Sequence, residues 1–293
     1  MKKLIVDILG TEKLSNYKVD GMVINSIDYS IFSNTKFNYN DIVKINEYCK
    51  ANKILSIVSI DKILSESDLN KVTEFIDLLE KINIDYYIFS DLAIIDISRK
   101  KNILNKLIYK PNTLITNHMD AEFINRLGIS FFVSNEIAFE DIKLISEKSG
   151  FCIEIYGYHP IFYSKRKSLR NFSEHLININ IQKESKYLKE ELRDELYPIY
   201  EDEDISLVFS PKRIALTKEL KELVNVKFLK INGDFISEKD LFKVINAYNV
   251  FLNSKISSVE LYDFLYKIDT NIDNQFLYKK TQLLQLGEND EKD

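Results

Sequence analysis

The sequence predicts an α/β fold: a (β/α)8 TIM-like barrel with a small antiparallel β insertion between its seventh and eighth strands. Three observations predict it. Eight short runs rich in β-branched and aromatic residues alternate with longer stretches of helical period. The seven glycines of the 293-residue chain fall mostly at the boundaries of those runs. The segment 158–225 is far longer than a single crossover needs.

The strands are expected at 3–8, 21–25, 53–59, 85–89, 113–116, 129–134, 151–156 and 226–231. Each is apolar enough to be covered on both faces, as parallel strands are. Helices are expected at 40–51, 66–82, 91–108, 120–127, 136–149 and 238–253, where apolar residues recur three and four apart. In the second helix Leu69, Val72, Phe75, Ile76 and Leu79 make one stripe. Gly21 and Gly128 open strands two and six, Gly10, Gly157 and Gly233 follow strands one, seven and eight, and Gly150 suits a helix C-terminus. Pro111 precedes strand five. Within the insertion, 175–185 alternates apolar and polar residues, and 197–200 and 205–209 read as a hairpin around the acidic turn 201–204. The barrel then spans 1–253, with 158–225 as the inserted β subdomain. A C-terminal helix at 259–268, an extended segment at 276–286 and an acidic tail at 288–293 complete the chain.

Composition narrows the function. Apolar residues make up 45% and charged residues 29%, which is globular. Seven Gly and four Pro, against about 20 and about 15 at average usage, argue against a glycine-rich phosphate loop. A net charge of −5 gives no bulk attraction to DNA or to an anionic membrane, so a polyanion would bind only at a local basic patch. Cys49 and Cys152 lack CxxC spacing and suggest neither a disulfide framework nor a metal cradle. The start, Met1 to Leu9, reads as a strand, and no run reaches the roughly 18 apolar residues of a membrane span. A soluble, cytoplasmic protein without a metal or other cofactor is expected.

In an α/β barrel, function sits at the C-terminal strand ends. Those positions hold Asp28, Asp61, Ser90, Asp91, Asn117, His118, Asn135, Glu136, His159, Asn232 and Asp234. Many such residues are helix caps, yet together they outline a polar mouth. Glu136 and His159 are the candidate catalytic groups there, and Ser164 is the one nearby candidate nucleophile. The acidic run 201–204 lacks the glycine and spacing of a calcium loop and reads as a solvated turn. The most distinctive segment is 157–172, where Lys165, Arg166, Lys167 and Arg170 alternate with Phe162, Tyr163 and Phe172. Cations beside flat rings suit phosphates and stacked bases, so Lys165, Arg166, Lys167, Arg170 and Tyr163 are the candidate RNA-binding residues.

Several pieces in order resemble peptidase family U-32, the collagenase-like peptidases. They are Ser134-Asn135-Glu136, the Gly157 to Arg166 segment with its Phe-Tyr-Ser, the run from Tyr197 to Glu203, Lys230-Ile231-Asn232-Gly233, and the run from Phe276 to Thr281. The last piece resembles the short, cysteine-poor Firmicutes-type members. The resemblance implies a bacterial protein paired with a longer, cysteine-containing paralogue, the pair acting in 5-hydroxylation of the tRNA wobble uridine. Relatives that bear an iron-sulfur cluster hold it with four cysteines, several just after strand seven. This chain has none between Gly157 and Phe172, so a cluster-free subunit is implied. Two other readings stand beside it: a peptidase, as the family name says, and a non-catalytic scaffold that binds the longer paralogue.

Overall fold

The computed structural model describes residues 2–175, 186–189, 194–203, 205–274 and 276–278. Its main sheet has ten strands: β1 (Lys3–Asp7), β2 (Gly21–Asn25), β3 (Leu55–Ile60), β4 (Tyr86–Phe89), β5 (Leu107–Tyr109), β6 (Ser130–Phe131), β7 (Phe151–Gly157), β12 (Arg213–Ala215), β13 (Val226–Ile231) and β14 (Ile272–Asp273). Their order is β14-β12-β7-β13-β1-β2-β3-β4-β5-β6. Neighbours from β7 through β13 and β1 to β6 run parallel, whereas β12 is antiparallel to β7. The sheet curls until its β6 edge approaches β7. A parallel bridge joins Phe132, just past β6, to Cys152 of β7, and Val133 N–H donates to the Cys152 carbonyl at 3.2 Å.

Helices α1 (Tyr39–Asn52), α2 (Leu69–Lys81), α3 (Ala93–Lys100), α4 (His118–Arg126), α5 (Phe139–Lys148) and α7 (Glu238–Leu252) follow the strands, and α8 (Ser258–Ile268) packs on α7. Side-chain oxygens of Asn38, Asn117, Ser237 and Ser257 cap α1, α4, α7 and α8 by accepting orphan N–H groups. No helix among the described residues is long and apolar enough to cross a membrane.

Strand five differs from the expectation. Periodicity predicts one helix over 91–108, but the chain leaves α3 through Asn102, whose φ of 58° is left-handed, and Leu107–Tyr109 becomes β5. Its three side chains are buried and Ile108 pairs with Ile88. A Leu-Ile-Tyr run fits a helical stripe and a short buried strand equally well, so periodicity does not separate them. The run 113–116, the expected strand, is a turn after Pro111 in which Ile115 alone is buried. At the C-terminus, 276–278 is a turn rather than extended chain, and the rest of that segment lies outside the described residues.

Between β7 and β12 lies a second, antiparallel sheet in the order β8 (Pro160–Ser164), β11 (Ser206–Phe209), β10 (Leu196–Glu201) and β9 (Lys186–Lys189), with α6 (Ser168–His175) after β8. The hairpin of β10 and β11 is registered by Ile199 opposite Val208. The alternating run 175–185 falls almost wholly outside the described residues.

One side of the main sheet carries two layers. Ile5, Val23, Ile57, Ile88, Ile108, Phe132, Cys152 and Phe228, one from each of eight consecutive chain segments around the curl, form an apolar cluster separate from the larger core. Two residues further along each segment stand Asp7, Asn25, Ser59, Ser90, Lys110, Ser134, Glu154 and Lys230. Because side chains alternate along a strand, residues two apart share a face, so the apolar layer is roofed by a polar one.

Candidate functional site

The polar layer is organised around Glu154, which is fully buried. Its Oε1 lies 3.0 Å from Lys230 Nζ and 3.0 Å from Lys110 Nζ. Its Oε2 accepts from Asn135 Nδ2 at 3.1 Å and stands 3.6 Å from His159 Nε2. Lys230 also donates to Asp7 Oδ2 at 2.6 Å. Register explains the pairing, since Lys230 sits directly opposite Glu154 across β13 and β7. Burial pushes the Glu154 carboxyl up, but Lys110, Lys230 and His159 outweigh it and hold it well below the usual carboxylate range. Burial pulls Lys230 down, and Asp7 and Glu154 overcome this to raise it above an ordinary lysine. The centre is thus ionised and paired.

Two glycines allow this packing. Gly157 has φ +124°, and a Cβ there would stand 2.6 Å from Asn232 Cβ. A Cβ on Gly233 would stand 2.7 Å from the Asp7 carbonyl oxygen. Neither position tolerates a side chain.

A loop between β2 and α1 borders the layer. Its ends are joined by a parallel bridge between Ser26 and Phe37, with Phe37 N–H donating to Asn25 O at 2.8 Å and Ile27 N–H to Phe37 O at 2.9 Å. The intervening residues 27–36 form a compact loop of the Ω kind. Asp61 Oδ1 accepts Ile31 N–H at 2.7 Å, and Asp234 Oδ1 accepts Ser33 Oγ–H at 2.9 Å and Asn34 N–H at 3.0 Å. Burial, and next the charge of Asp7, push the Asp234 carboxyl up to about 7, against the Asn34 and Ser33 hydrogen bonds and Lys230. Between the loop and the main sheet lies a cavity of about 10 Å3, lined in part by Asp7, Asn25, Phe32, Ser33, Lys110 and Lys230.

Of the two catalytic candidates, His159 joins this centre and is 2% exposed. Glu136 is exposed, and no hydrogen bond or ion pair ties its carboxylate to the centre among the described residues; its neighbour Asn135 takes that place. Ser164 Oγ accepts the Arg166 backbone N–H at 3.0 Å. Asp61, Asn232 and Asp234 also join the buried network, Asn117 is a cap, and Asp28 and His118 are exposed.

The basic strip runs from Tyr163 of β8 through Lys165, Arg166 and Lys167 in the following link to Arg170 of α6. Lys165 Nζ donates to Ile63 O at 3.0 Å, while Tyr163 meets Phe32 of the loop edge-on with ring centroids 6.0 Å apart. Lys167 and Arg170 both pair with Glu203. The Arg166 guanidinium is exposed and has no ion pair among the described residues. The acidic turn is therefore more than a solvated one: Glu201 accepts the Leu169 and Arg170 N–H groups, Asp202 binds Lys36, and Glu203 covers two cations of the strip.

Asp7, Asn25, Lys110, Glu154 and Lys230 belong to the site although the expected strand-end positions do not include them: Asp7, Asn25, Glu154 and Lys230 fall within the expected strands, and Lys110 follows β5, which the periodicity does not predict there. A signal was present in the sequence: a charge inside a run otherwise fit for burial on both faces, as in Phe-Cys-Ile-Glu-Ile-Tyr, needs a partner in the fold.

The donor set does not fit the family's cysteine-held cluster. Cys49 lies in α1 and Cys152 in β7, both buried, and burial pushes each thiol up to about 12. Cluster ligation needs thiolates, typically four.

Comparisons with known proteins agree with the resemblance. The chain is 25% identical over 267 residues, covering 84% of its length and 86% of the relative's, to a protein of Bacillus subtilis (strain 168) described as tRNA hydroxylation protein P2. A solved structure, the U32 peptidase Mk0906, superimposes with a TM-score of 0.53 at 12% identity, covering 80% of this chain and 94% of that one, which supports a common fold. The family model described as Peptidase family U32 matches residues 10–284, and the chain belongs to that family.

Proposed function

We propose that this protein is the cluster-free component of a cytoplasmic bacterial system for 5-hydroxylation of the tRNA wobble uridine, acting with a longer, cysteine-containing paralogue. The observation that carries the reading is the similarity to tRNA hydroxylation protein P2 along most of both chains. The fold is read as a (β/α)8 barrel over 1–253, with β6 closing on β7 through the Phe132–Cys152 bridge, the antiparallel sheet inserted at 158–225, and 254–293 as a C-terminal extension. Function then sits at the C-terminal strand ends, where the polar layer lies.

In this reading Lys165, Arg166, Lys167 and Arg170 contact RNA phosphates and Tyr163 offers a ring to a base. His159 and the Glu154 centre shape a charged, water-poor interior, with Lys110 and Lys230 fixing Glu154 as the anion. A peptidase would instead need an activated nucleophile. The Ser164 hydroxyl, occupied by a backbone N–H of its own turn, gives that reading no support.

The test is deletion of the gene followed by mass-spectrometric quantification of hydroxyuridine-derived nucleosides in total tRNA. Their loss, restored by the intact gene, is expected. Unchanged levels in a strain without a second copy overturn the proposal.

A further inference from the structure

We propose that the cavity between the 27–36 loop and the main sheet is a base-binding site: the loop lifts on its Ser26–Phe37 base, a pyrimidine extruded from the RNA enters, and the Asn25 carboxamide pairs with its polar edge. This rests on the RNA reading above.

Asn25 carries the argument. It is 3% exposed, lines the cavity, and its Nδ2 has no hydrogen-bond partner among the described residues. Among the described residues its Oδ1 receives only the Ser30 hydroxyl, at a long 3.4 Å. A buried amide N–H left unmade is costly, so one that persists calls for an explanation. A carboxamide offers a donor and an acceptor side by side, the complement of the adjacent carbonyl and ring N–H of a uracil-type base.

Charge selects a neutral ligand. Lys110 and Lys230 are balanced by Asp7 and Glu154, and the buried carboxylate of Asp61 lines the same cavity. An added anion would meet that surplus, whereas a neutral ring would not. Phe32, on the cavity wall, supplies a flat apolar surface for stacking.

The loop must move for this to happen. A cavity of about 10 Å3 holds about one water and no base. The loop can lift as a unit because its ends are tied to each other, and lifting parts its hydrogen bonds to Asp61 and Asp234, the Lys36–Asp202 ion pair and the buried packing of Tyr29, Ile31 and Phe32. RNA lying on the basic strip is beside it, since Tyr163 touches Phe32, and Tyr163 and Lys165 share a second small cavity with Ile31 of the loop.

The test is equilibrium binding of the full chain to two RNA hairpins that differ at one position, an unpaired uridine or an abasic ribose in the wobble place. The abasic hairpin is expected to bind about tenfold more weakly. Asn25→Ala, shown by thermal unfolding to be folded, is expected to weaken the uridine hairpin about tenfold and leave the abasic one unchanged, so that discrimination vanishes. Should Asn25→Ala not fold, the near-isosteric Asn25→Leu, which removes donor and acceptor without adding charge, carries the same expectation. Equal binding of both hairpins by the unaltered chain, or discrimination that survives loss of Asn25, overturns the base site while leaving the RNA reading in place. Binding of neither hairpin removes both.

Discussion

The two layers of the main sheet, two residues apart in the same segments, are built on opposite principles. The lower one, Ile5 to Phe228, is apolar and cohesive. The upper one holds Asp7, Lys110, Glu154 and Lys230 as a buried ionised set whose members cannot be removed singly without stranding a charge. A buried ion pair is weak evidence for stability, since apolar replacements are often as stable, so the charged layer's presence directly above an apolar one points to use rather than to folding. The same strands thus hold the fold at one level and present chemistry at the next.

The sharpest break in this comparison comes from Glu154→Gln. With the carboxylate gone, buried Lys110 loses its counter-ion while Lys230 keeps Asp7, and the loss of unfolding free energy in urea is expected at about 3–5 kcal/mol. A loss below about 1 kcal/mol would mean that water already enters the layer.

Asp234 adds a pH signature. Its folded pKa of about 7 lies above the unfolded value of about 3.9, so the folded state holds its proton longer. Its contribution is fully present below pH ~4 and falls as pH rises toward about 7, with a limiting slope of about 1.4 kcal/mol for each pH unit crossed. Asp234→Asn, which keeps the Oδ1 acceptor, is expected to flatten the stability profile between pH ~4 and pH ~7. A profile of unchanged slope, measured by denaturant titration across that range, refutes the assignment.

In the apolar layer Ile57→Val is expected to cost only about 0.5–1.5 kcal/mol and to leave RNA binding alone. The smallest effect on stability belongs to Glu203→Gln, an exposed partner of Lys167 and Arg170. Its melting temperature should hardly change, while RNA affinity rises and its salt dependence steepens as two cations are released to phosphates. Weaker RNA binding would place the strip elsewhere than on the RNA path.

Much of this was legible in the sequence because the alternation of β-branched runs and amphipathic stripes is local. Seven of the eight expected strands stand where that alternation puts them, and Gly157 and Gly233 mark close approaches. The fifth strand was not legible, because Leu107-Ile108-Tyr109 satisfies both periods and the deciding event is a left-handed Asn102. The site was half legible. His159, Asn135 and Asp234 stand out as polar strand-end residues, whereas Glu154 and Lys230 become partners only through the β7–β13 register, which no local pattern encodes. The role of Glu203 was hidden for the same reason, since its cations lie over 30 residues away in sequence.

Complementation of the gene deletion, read by mass spectrometry of hydroxyuridine-derived nucleosides in tRNA, separates the two layers most directly. A chain with Ile57→Val is predicted to restore the nucleosides, and one with Lys165, Arg166, Lys167 and Arg170 all changed to Ala, folded and expressed at the same level, is predicted not to. Full restoration by the second chain would contradict the account.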